Sequence, residues 1–445
     1  MSPHDGPPPS PGAPEHPTGR TGARPHAGDL RGAVRLVIEA LSGVSAVVED
    51  MQVAIGSGPR VLGRPLSSVV PVFTAPVHLA IRAAARLVGS ELDAALEKLA
   101  PLLRESVPGA GREAALAVLN GVVGHHLAAT GNPLAIEMRL RRGSRALDLE
   151  GPASVLGAVP DARGKVLVLL HGSCLCDRAW APAGQDRAEA LARELGFTCL
   201  RLSYNTGRHI SENGAELAGL LERLVASWPV PLDELVLLGH SMGGLVARSA
   251  CRSAEDAGHA WRARLAALVC VASPHHGAAL ERGGSFIDAL LGVSRHSAPL
   301  ARLGKIRSAG VTDLRYGNVL DAHWRGRDRF AAGGGPPARL DLPRGVACYA
   351  VAATRTAAPG EGPYASDGLV SVDSALGRHR RPELSLGFPE AHQWIGFGMG
   401  HLEVLGRPEL YEVLRSWLSA RGCPSSAESS RATRSAGDRW ARLGK

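Results

Sequence analysis

The sequence predicts an α/β fold in which helices cover both faces of a mostly parallel sheet. From residue 135 onward, short apolar strands alternate with helical stretches, which is the pattern of a parallel sheet. The segment 166–170, Val-Leu-Val-Leu-Leu, is apolar at every position. A strand of this kind is expected to be buried on both faces, so helices should lie on each side of the sheet.

The elements of this domain, 135–420, follow from the same periodicity. Strands are predicted at 136–140, 166–170, 198–202, 235–238, 268–271 and 346–352. Helices are predicted at 187–195, 212–228 and 408–418. Ser211 precedes the second of these helices in the position of an N-cap, and Pro408 occupies the first turn of the last one.

Residues 31–134 have a different periodicity and predict an N-terminal helical module. Apolar residues such as Val34, Val37 and Leu41 recur there at helical spacing, and Gly and Pro residues divide the region into about four pieces. Residues 1–30 hold eight of the 31 prolines of the chain and predict a disordered Pro/Gly-rich tail. Residues 421–445 predict a disordered basic tail.

The net charge of +8 does not indicate a nucleic-acid-binding protein. Residues 421–445 contribute +4 and residues 1–30 contribute −1, so the region between them carries only +5. Nucleic-acid-binding domains concentrate basic residues on one face or stripe, and an excess this small over so long a region does not suggest one. Nucleic acid is therefore not an expected partner.

Cysteine usage and hydropathy predict a soluble, cytoplasmic protein. The seven cysteines are an odd number, and their spacing matches neither a disulfide framework nor a zinc site. No apolar leader follows the N-terminus. The charge-free stretch 114–136 contains Asn, His and Pro, which do not suit a membrane span. Peripheral contact with a membrane stays open.

The most specific motif is Gly-His-Ser-Met-Gly at 239–243, between the strand 235–238 and a helical stretch. A buried strand, Gly-x-Ser-x-Gly and then a helix is the arrangement of a nucleophile elbow. The glycines leave the room that so sharp a turn needs. Ser241 is therefore the predicted nucleophile, and the N-terminus of the following helix should help to stabilise an oxyanion.

A second motif, His-Gly-Ser at 171–173, follows the strand 166–170. In this architecture that loop donates a backbone N–H to the oxyanion hole, so the N–H groups of Ser173 and Met242 are the predicted donors. The alternative is an ordinary turn between a strand and a loop. Neighbouring residues are expected to line the substrate site: His171, Gly172, His240 and His275.

A serine nucleophile needs a base and an acid that orients the base, and here the acid precedes the histidine in the chain. His401 lies on a glycine-rich loop just before the last predicted helix and is the predicted base. Asp367 is the first choice for the acid because Gly368 permits a tight loop after it. Glu361 and Asp373 are the alternatives.

Together these motifs resemble the α/β-hydrolase superfamily, specifically bacterial triacylglycerol lipases and esterases similar to the GPI inositol-deacylase group. The resemblance covers roughly residues 160–420 and implies an α/β-hydrolase sheet. It also implies Ser241, Asp367 and His401 as nucleophile, acid and base. The matching segments are LLHGS (169–173), GHSMGG (239–244), ASPHHG (272–277), SDGLVS (366–371) and GHLEVL (400–405).

The same resemblance bears on metals. Some secreted lipases of this kind place a calcium ligand, normally Asp, two residues after the catalytic histidine. That position is Glu403 here. Because Glu replaces Asp and no secretion signal is evident, we expect no metal and no other cofactor, although the sequence leaves calcium binding open.

The long region between the strands 268–271 and 346–352 predicts a lid insertion at about 278–345. Phe286, Leu290 and Val293 lie in a stretch with the apolar spacing of an amphipathic helix. An apolar lid favours an acyl or lipid-like substrate, which Leu290 would contact. The alternative is a structural excursion that covers the sheet.

The sequence thus predicts a serine hydrolase of carboxylic esters, similar to a lipase or esterase, that forms an acyl-enzyme on Ser241. His401 would be the base and Asp367 the acid. A thioesterase or an amidase would use the same residues, and a non-catalytic hydrolase fold that only binds a ligand is an alternative of another class. The expected partner is a small-molecule or lipid-like ester, whereas the sequence does not specify acyl chain length or oligomeric state.

Overall fold

The computed structural model of the chain describes residues 110–278, 308–327, 339–357 and 366–419. Both predicted tails, the helices predicted before residue 110 and the predicted lid stretch around Leu290 lie outside these ranges. The strands are β1 (Arg139–Arg142), β2 (Arg145–Ala146), β3 (Lys165–Leu170), β4 (Thr198–Ser203), β5 (Glu234–His240), β6 (Leu265–Val271), β7 (Ala347–Ala353) and β8 (Gln393–Gly396).

These eight strands of the described residues form one sheet in the order β2-β1-β4-β3-β5-β6-β7-β8. β1 runs antiparallel to β2 and β4, and every other neighbouring pair is parallel. The predicted mostly parallel sheet is therefore confirmed. Because β5 lies near the middle of the sheet, the residues after it emerge at the centre of the edge formed by the carboxyl ends of the strands.

The helices of the described ranges connect these strands. No helix there has both the length and the apolar composition needed to cross a bilayer. The helices are α1 (Ala110–Ala129), α2 (Pro152–Ala158), α3 (Arg187–Glu194), α4 (Ile210–Ser227), α5 (Met242–Ala257), α6 (Ala309–Tyr316), α7 (Asp321–Trp324), α8 (Val372–Ala375) and α9 (Pro408–Ser419).

Strand β3 shows why helices cover both faces of the sheet. Successive side chains of a strand point to opposite faces, so Val166, Val168 and Leu170 pack into one apolar core with α1, α4 and α5. Leu167 and Leu169 pack into a second core with α3 and α9. Each fully buried Val or Leu contributes roughly 1.5–3 kcal/mol. Both faces of β3 are therefore held by apolar burial, as its sequence predicts.

Helix α1, predicted within the helical module 31–134, shares the first of these cores with the sheet. Its Asn120 side chain donates from Nδ2 to the carbonyl of Leu134 at 2.8 Å and accepts from the N–H of Ile136 at 2.9 Å. These backbone groups are therefore satisfied by α1. This explains why the first strand begins at Arg139, three residues after the start predicted for 136–140.

One local prediction is wrong. Helix α4 begins at Ile210, so Ser211 lies inside its first turn and does not cap it. The Asp313 carboxylate of α6 accepts the N–H of Ile210 at 2.9 Å and takes the place of a local cap.

Candidate active site

Ser241 is the single residue between the end of β5 at His240 and the start of α5 at Met242. Its φ of 54° and ψ of −120° are strained for a residue with a side chain, at a cost of about 1–3 kcal/mol. The N–H of Ser241 donates to the carbonyl of Val271 on β6 at 2.8 Å, which ties the strained residue to the neighbouring strand. The local conformation is therefore that of the predicted elbow.

The glycine at 243 is required by the packing of the elbow against β3. A Cβ at this position would lie 2.5 Å from the carbonyl oxygen of Leu170 and 2.8 Å from that of His171. Any side chain would push the elbow away from the end of β3. The same close approach brings the loop after β3 next to Ser241.

Asp367 and His401, the predicted acid and base, are buried together and joined by a hydrogen bond. The distance between His401 Nδ1 and Asp367 Oδ2 is 2.7 Å. The other carboxylate oxygen accepts the N–H groups of Leu369 at 2.9 Å and Val370 at 2.7 Å. The backbone N–H of His401 also donates to the carbonyl of Asp367 at 3.1 Å. The histidine and the acid are thus held by their side chains and their backbones.

The protonation of this pair follows from its environment. Burial would raise the pKa of Asp367, but the charge and hydrogen bond of His401, with the two backbone N–H groups, hold that pKa below its ordinary value. A charged carboxylate only accepts, so Nδ1 of His401 carries a proton, and in the neutral ring Nε2 then has the free lone pair. Nε2 is buried and has no hydrogen-bond partner among the described residues. His401 is therefore in the tautomer that a general base needs.

The alternative acids do not share this site in the described structure. Asp373 is exposed in the first turn of α8, and Glu361 lies outside the described residues. Glu403 accepts the N–H of Gly400 at 2.8 Å and so shapes the loop that carries His401. Within the described ranges, no three metal-ligating side chains come together.

His240 connects the elbow to the His401 loop. Its Nε2 lies 2.9 Å from the backbone carbonyl oxygen of His401, so this nitrogen is the donor. Complete burial, and then the proximity of His401, lower the pKa of His240 to about 3. The ring is therefore neutral at physiological pH. A substrate contact by His240 stays a prediction, and the structure adds a contact to the loop that carries the predicted base.

The loop after β3 lies against Ser241, as the predicted oxyanion hole requires. A Cβ at Gly172 would be 3.1 Å from Cβ of Ser241. Ser173 follows directly, and Met242 is the first residue of α5, where a backbone N–H has no acceptor within its helix. The two predicted donors therefore belong to segments on either side of Ser241.

His171 and His275 occupy different surroundings. The His171 ring stacks on Tyr204 with centroids 4.5 Å apart, and burial lowers the pKa of His171 to about 4. His275 lines a separate cavity with Arg248, in which none of Ser241, Asp367 and His401 takes part. A substrate contact by His275 stays a prediction, as does one by Leu290, which lies outside the described residues.

Sequence reasoning missed the residues that support the loop after β3 from behind. This loop, 171–173, carries the predicted oxyanion donor Ser173 and is called the oxyanion loop below. Tyr204 donates from its hydroxyl to the carbonyl of His171 at 2.7 Å, and Thr206 accepts the N–H of Cys174 at 3.1 Å. Cys174 itself has a φ of 57°. The signal was present in the sequence, because the polar run Ser-Tyr-Asn-Thr at 203–206 directly follows the strand predicted at 198–202.

The comparisons with known proteins agree with this architecture. Residues 203–330, which include the elbow, match the family model described as PGAP1-like alpha/beta domain. No curated protein matches the chain. The sheet order and the family match together give the chain an α/β-hydrolase fold.

Similar solved structures include a lipase, an esterase and a thioesterase. A mature lipase of Bacillus licheniformis is 17% identical, with a TM-score of 0.39, over 63% of this chain and 98% of that one. An esterase of Pyrococcus furiosus is 14% identical, with a TM-score of 0.35, over 58% and 83%. A thioesterase of prodiginine biosynthesis from Streptomyces coelicolor is 17% identical, with a TM-score of 0.31, over 58% and 91%. The chain is an α/β-hydrolase-fold protein that resembles lipases and PGAP1-like proteins.

Proposed function

We propose that the protein is a serine hydrolase that cleaves carboxylic esters. Ser241 is the nucleophile, His401 the general base and Asp367 the acid that orients it. The observation that carries this proposal is the strained backbone of Ser241 together with the buried Asp367–His401 pair, whose Nε2 has no partner in the described structure. Strain of this kind persists where the surrounding structure enforces it, and it concentrates at active sites.

The reaction follows from the protonation state of the pair. His401 Nε2 accepts the proton of the Ser241 hydroxyl as Oγ attacks the ester carbonyl, and the negatively charged Asp367 stabilises the resulting imidazolium. The N–H groups of Ser173 and Met242 donate to the oxyanion of the tetrahedral intermediate. His401 then protonates the departing alcohol, which leaves an acyl group on Ser241. Water activated by His401 hydrolyses this acyl-enzyme in the second half of the cycle.

Cys174, next to the oxyanion loop, does not compete as a nucleophile. Burial raises the pKa of its thiol to about 12, so the thiolate is scarce at neutral pH. The six cysteines of the described ranges are free thiols, in keeping with the reducing, cytoplasmic location that we propose. The proposed substrate is a small-molecule or lipid-like ester, and thioesters and amides are the alternatives that substrate assays separate.

The direct test is covalent labelling of the full chain with a fluorophosphonate probe, with the modified peptide identified by mass spectrometry. We expect one label, on Ser241. We also expect Ser241→Ala to lower kcat/KM for p-nitrophenyl esters by about 10⁴-fold or more while the unfolding midpoint is kept. The esters should run from acetate to palmitate, with matching thioesters and anilides, to define the substrate class.

The matched control is Ser253→Ala, which removes a hydroxyl from the same helix at a half-buried position away from the elbow. It should keep full labelling and activity. Labelling that persists in a folded Ser241→Ala protein contradicts the assigned nucleophile. A folded wild-type protein that takes up no probe supports the non-catalytic alternative.

A further inference from the structure

A second cavity, about 130 Å³ in volume, lies between α5, the loop after β6 and the described segments 316–323 and 379–386. We call it the basic cavity. Three arginines and four histidines line it, and its described lining includes no Asp or Glu. The arginines are Arg248, Arg339 and Arg381. The charged and imidazole side chains of its described lining are thus all basic.

Arg248 is the unusual member of this set. It lies on α5, two turns after Ser241, and only 3% of the residue is exposed. Its guanidinium donates to Nδ1 of His275 at 3.2 Å and to the carbonyl of Leu340. Among the described residues, its buried Nε has no hydrogen-bond partner and no carboxylate forms an ion pair with it. A buried cation is costly unless an opposite charge lies nearby. The Asp341 carboxylate acts on Arg248 from a distance, but it is exposed and paired with Arg339, so Arg248 has no contacting counter-ion among the described residues.

His275 adds a second unused donor. Burial, and then the charge of Arg248, hold the pKa of His275 well below its ordinary value, so its ring is neutral. An arginine only donates, and Nδ1 of His275 must therefore accept from Arg248. The ring proton is then on Nε2, which is buried without a hydrogen-bond partner in the described structure. Arg248 and His275 together offer two N–H groups and a positive charge.

The other arginines are nearer the surface. Arg339 is paired with the exposed carboxylate of Asp341, at 2.5 Å, so its charge is already balanced. Arg381 is exposed. The excess positive charge of the basic cavity therefore comes from Arg248 inside and Arg381 outside.

The volume and the donors fit one small oxyanion. One ordered water needs a cavity of roughly 10–15 Å³, and the basic cavity has about ten times that volume. Water could satisfy the N–H groups, but it carries no charge to balance Arg248. Guanidinium forks match the geometry of phosphate oxygens. We propose that the basic cavity binds a phosphate group, with Arg248 and Nε2–H of His275 as its inner donors.

The test is binding of inorganic phosphate to the full chain by equilibrium dialysis and by the shift of the thermal unfolding midpoint. Chloride holds the ionic strength constant, since a general salt effect would otherwise mimic binding. We expect one phosphate per chain and a midpoint that rises with phosphate concentration. Arg248→Met, which keeps the length of the side chain, should weaken binding on the order of a hundredfold.

Arg252→Met is the matched control, because Arg252 lies on the same helix but is exposed and paired with Asp256 at 2.9 Å. It should bind phosphate like the wild type. Arg381→Gln, an exposed substitution that should not disturb folding, tests the site even if Arg248→Met does not fold. It should weaken binding by roughly threefold to tenfold.

Two further ligands distinguish the sources of the phosphate group. Glycerol 3-phosphate represents a soluble phosphomonoester, and dioctanoyl phosphatidic acid represents a lipid headgroup. Binding of either one that is lost in Arg248→Met supports the site and names its source. Equal binding to wild type and Arg248→Met, or no binding of any of the three ligands to the wild type, overturns the proposal. If the wild type binds none of the three ligands and Arg248→Met has a lower free energy of unfolding, the counter-ion of Arg248 is a carboxylate of the chain itself.

Discussion

His240 donates a hydrogen bond from Nε2 to the backbone carbonyl of His401 at 2.9 Å, across 161 positions of sequence. The donor is the residue before Ser241, the proposed nucleophile, and the acceptor belongs to the loop that carries His401, the proposed base. One buried hydrogen bond therefore helps to fix the spacing between the two groups that exchange a proton in the proposed reaction.

Replacement of His240 tests this positioning role. His240→Leu keeps an apolar side chain in the buried position but leaves the His401 carbonyl without its donor, so His401 should be misplaced. We expect kcat to fall by roughly tenfold to a hundredfold with little change in KM, because an unpaired buried group costs about 1–3 kcal/mol. Steady-state kinetics and the rate of fluorophosphonate labelling of the folded variant measure this loss.

His240→Gln is the control for that variant, since its amide can donate where Nε2 does. It should recover part of the lost kcat. If Leu and Gln variants have the same reduced rate at equal stability, the hydrogen bond is not what positions the base.

Asp367→Asn should be far more damaging than Asp373→Asn. Only Asp367 holds the proton of His401 on Nδ1, whereas Asp373 is exposed in α8. Asparagine can donate to that nitrogen and so favours the wrong tautomer, which costs about 10⁴-fold in kcat in a comparable triad. The measurement is kcat for both folded variants with one ester. An inactive Asp373→Asn beside an active Asp367→Asn would show that the acid is misassigned.

Buried neutral histidines should make the protein less stable in mild acid. His171 has a pKa of about 4 when folded, against an ordinary value of 6.5. Between these two values the unfolded chain binds one more proton, so stability is full above pH 6.5 and falls as the pH drops toward 4. One such histidine contributes a slope of up to about 1.4 kcal/mol per pH unit.

The measurement is the free energy of unfolding of wild type and His171→Asn between pH 7 and 4.5. Asparagine does not titrate, and its amide can replace the donation of Nδ1 to the carbonyl of Gly172. The slope for His171→Asn should be smaller by the contribution of one proton. Identical slopes would mean that His171 is not held neutral by its burial.

Two helical glycines should respond oppositely to the same substitution. A Cβ at Gly121 in α1 would lie 2.9 Å from Cα of Cys174, behind the oxyanion loop, whereas one at Gly219 in α4 meets no atom within 4 Å. Gly219→Ala should raise the free energy of unfolding by about 0.5–1 kcal/mol through helix propensity. Gly121→Ala should lower it by about 1–3 kcal/mol through overpacking.

The comparison is made by denaturant unfolding, and ester hydrolysis provides a second measurement. Because the clash at Gly121 pushes on the loop that carries Ser173, activity should fall in Gly121→Ala and not in Gly219→Ala. A Gly121→Ala protein as stable and active as Gly219→Ala would show that α1 does not support the loop.

Local pattern was sufficient for the central strands and the elbow. The apolar run of β3 and the Gly-x-Ser-x-Gly segment can each be recognised from a few neighbouring residues. Burial on both faces and a strained turn restrict the residue types at those positions. These local patterns predicted the strand and the conformation of the elbow correctly. The cap of α4 was missed because its acceptor, Asp313, lies 103 positions away.

The sequence by itself therefore determined the parallel sheet, the place of Ser241 on it, and Asp367 and His401 as the groups to test. Only the tertiary structure decided which groups meet: the carboxylate bound to His401, the link from His240 to the His401 loop, and the buried Arg248 beside His275. The physical reason is that periodicity and turn chemistry act over a few residues. A hydrogen bond between distant segments, or a charge left without a counter-ion, arises only when packing brings those segments together and excludes water from them.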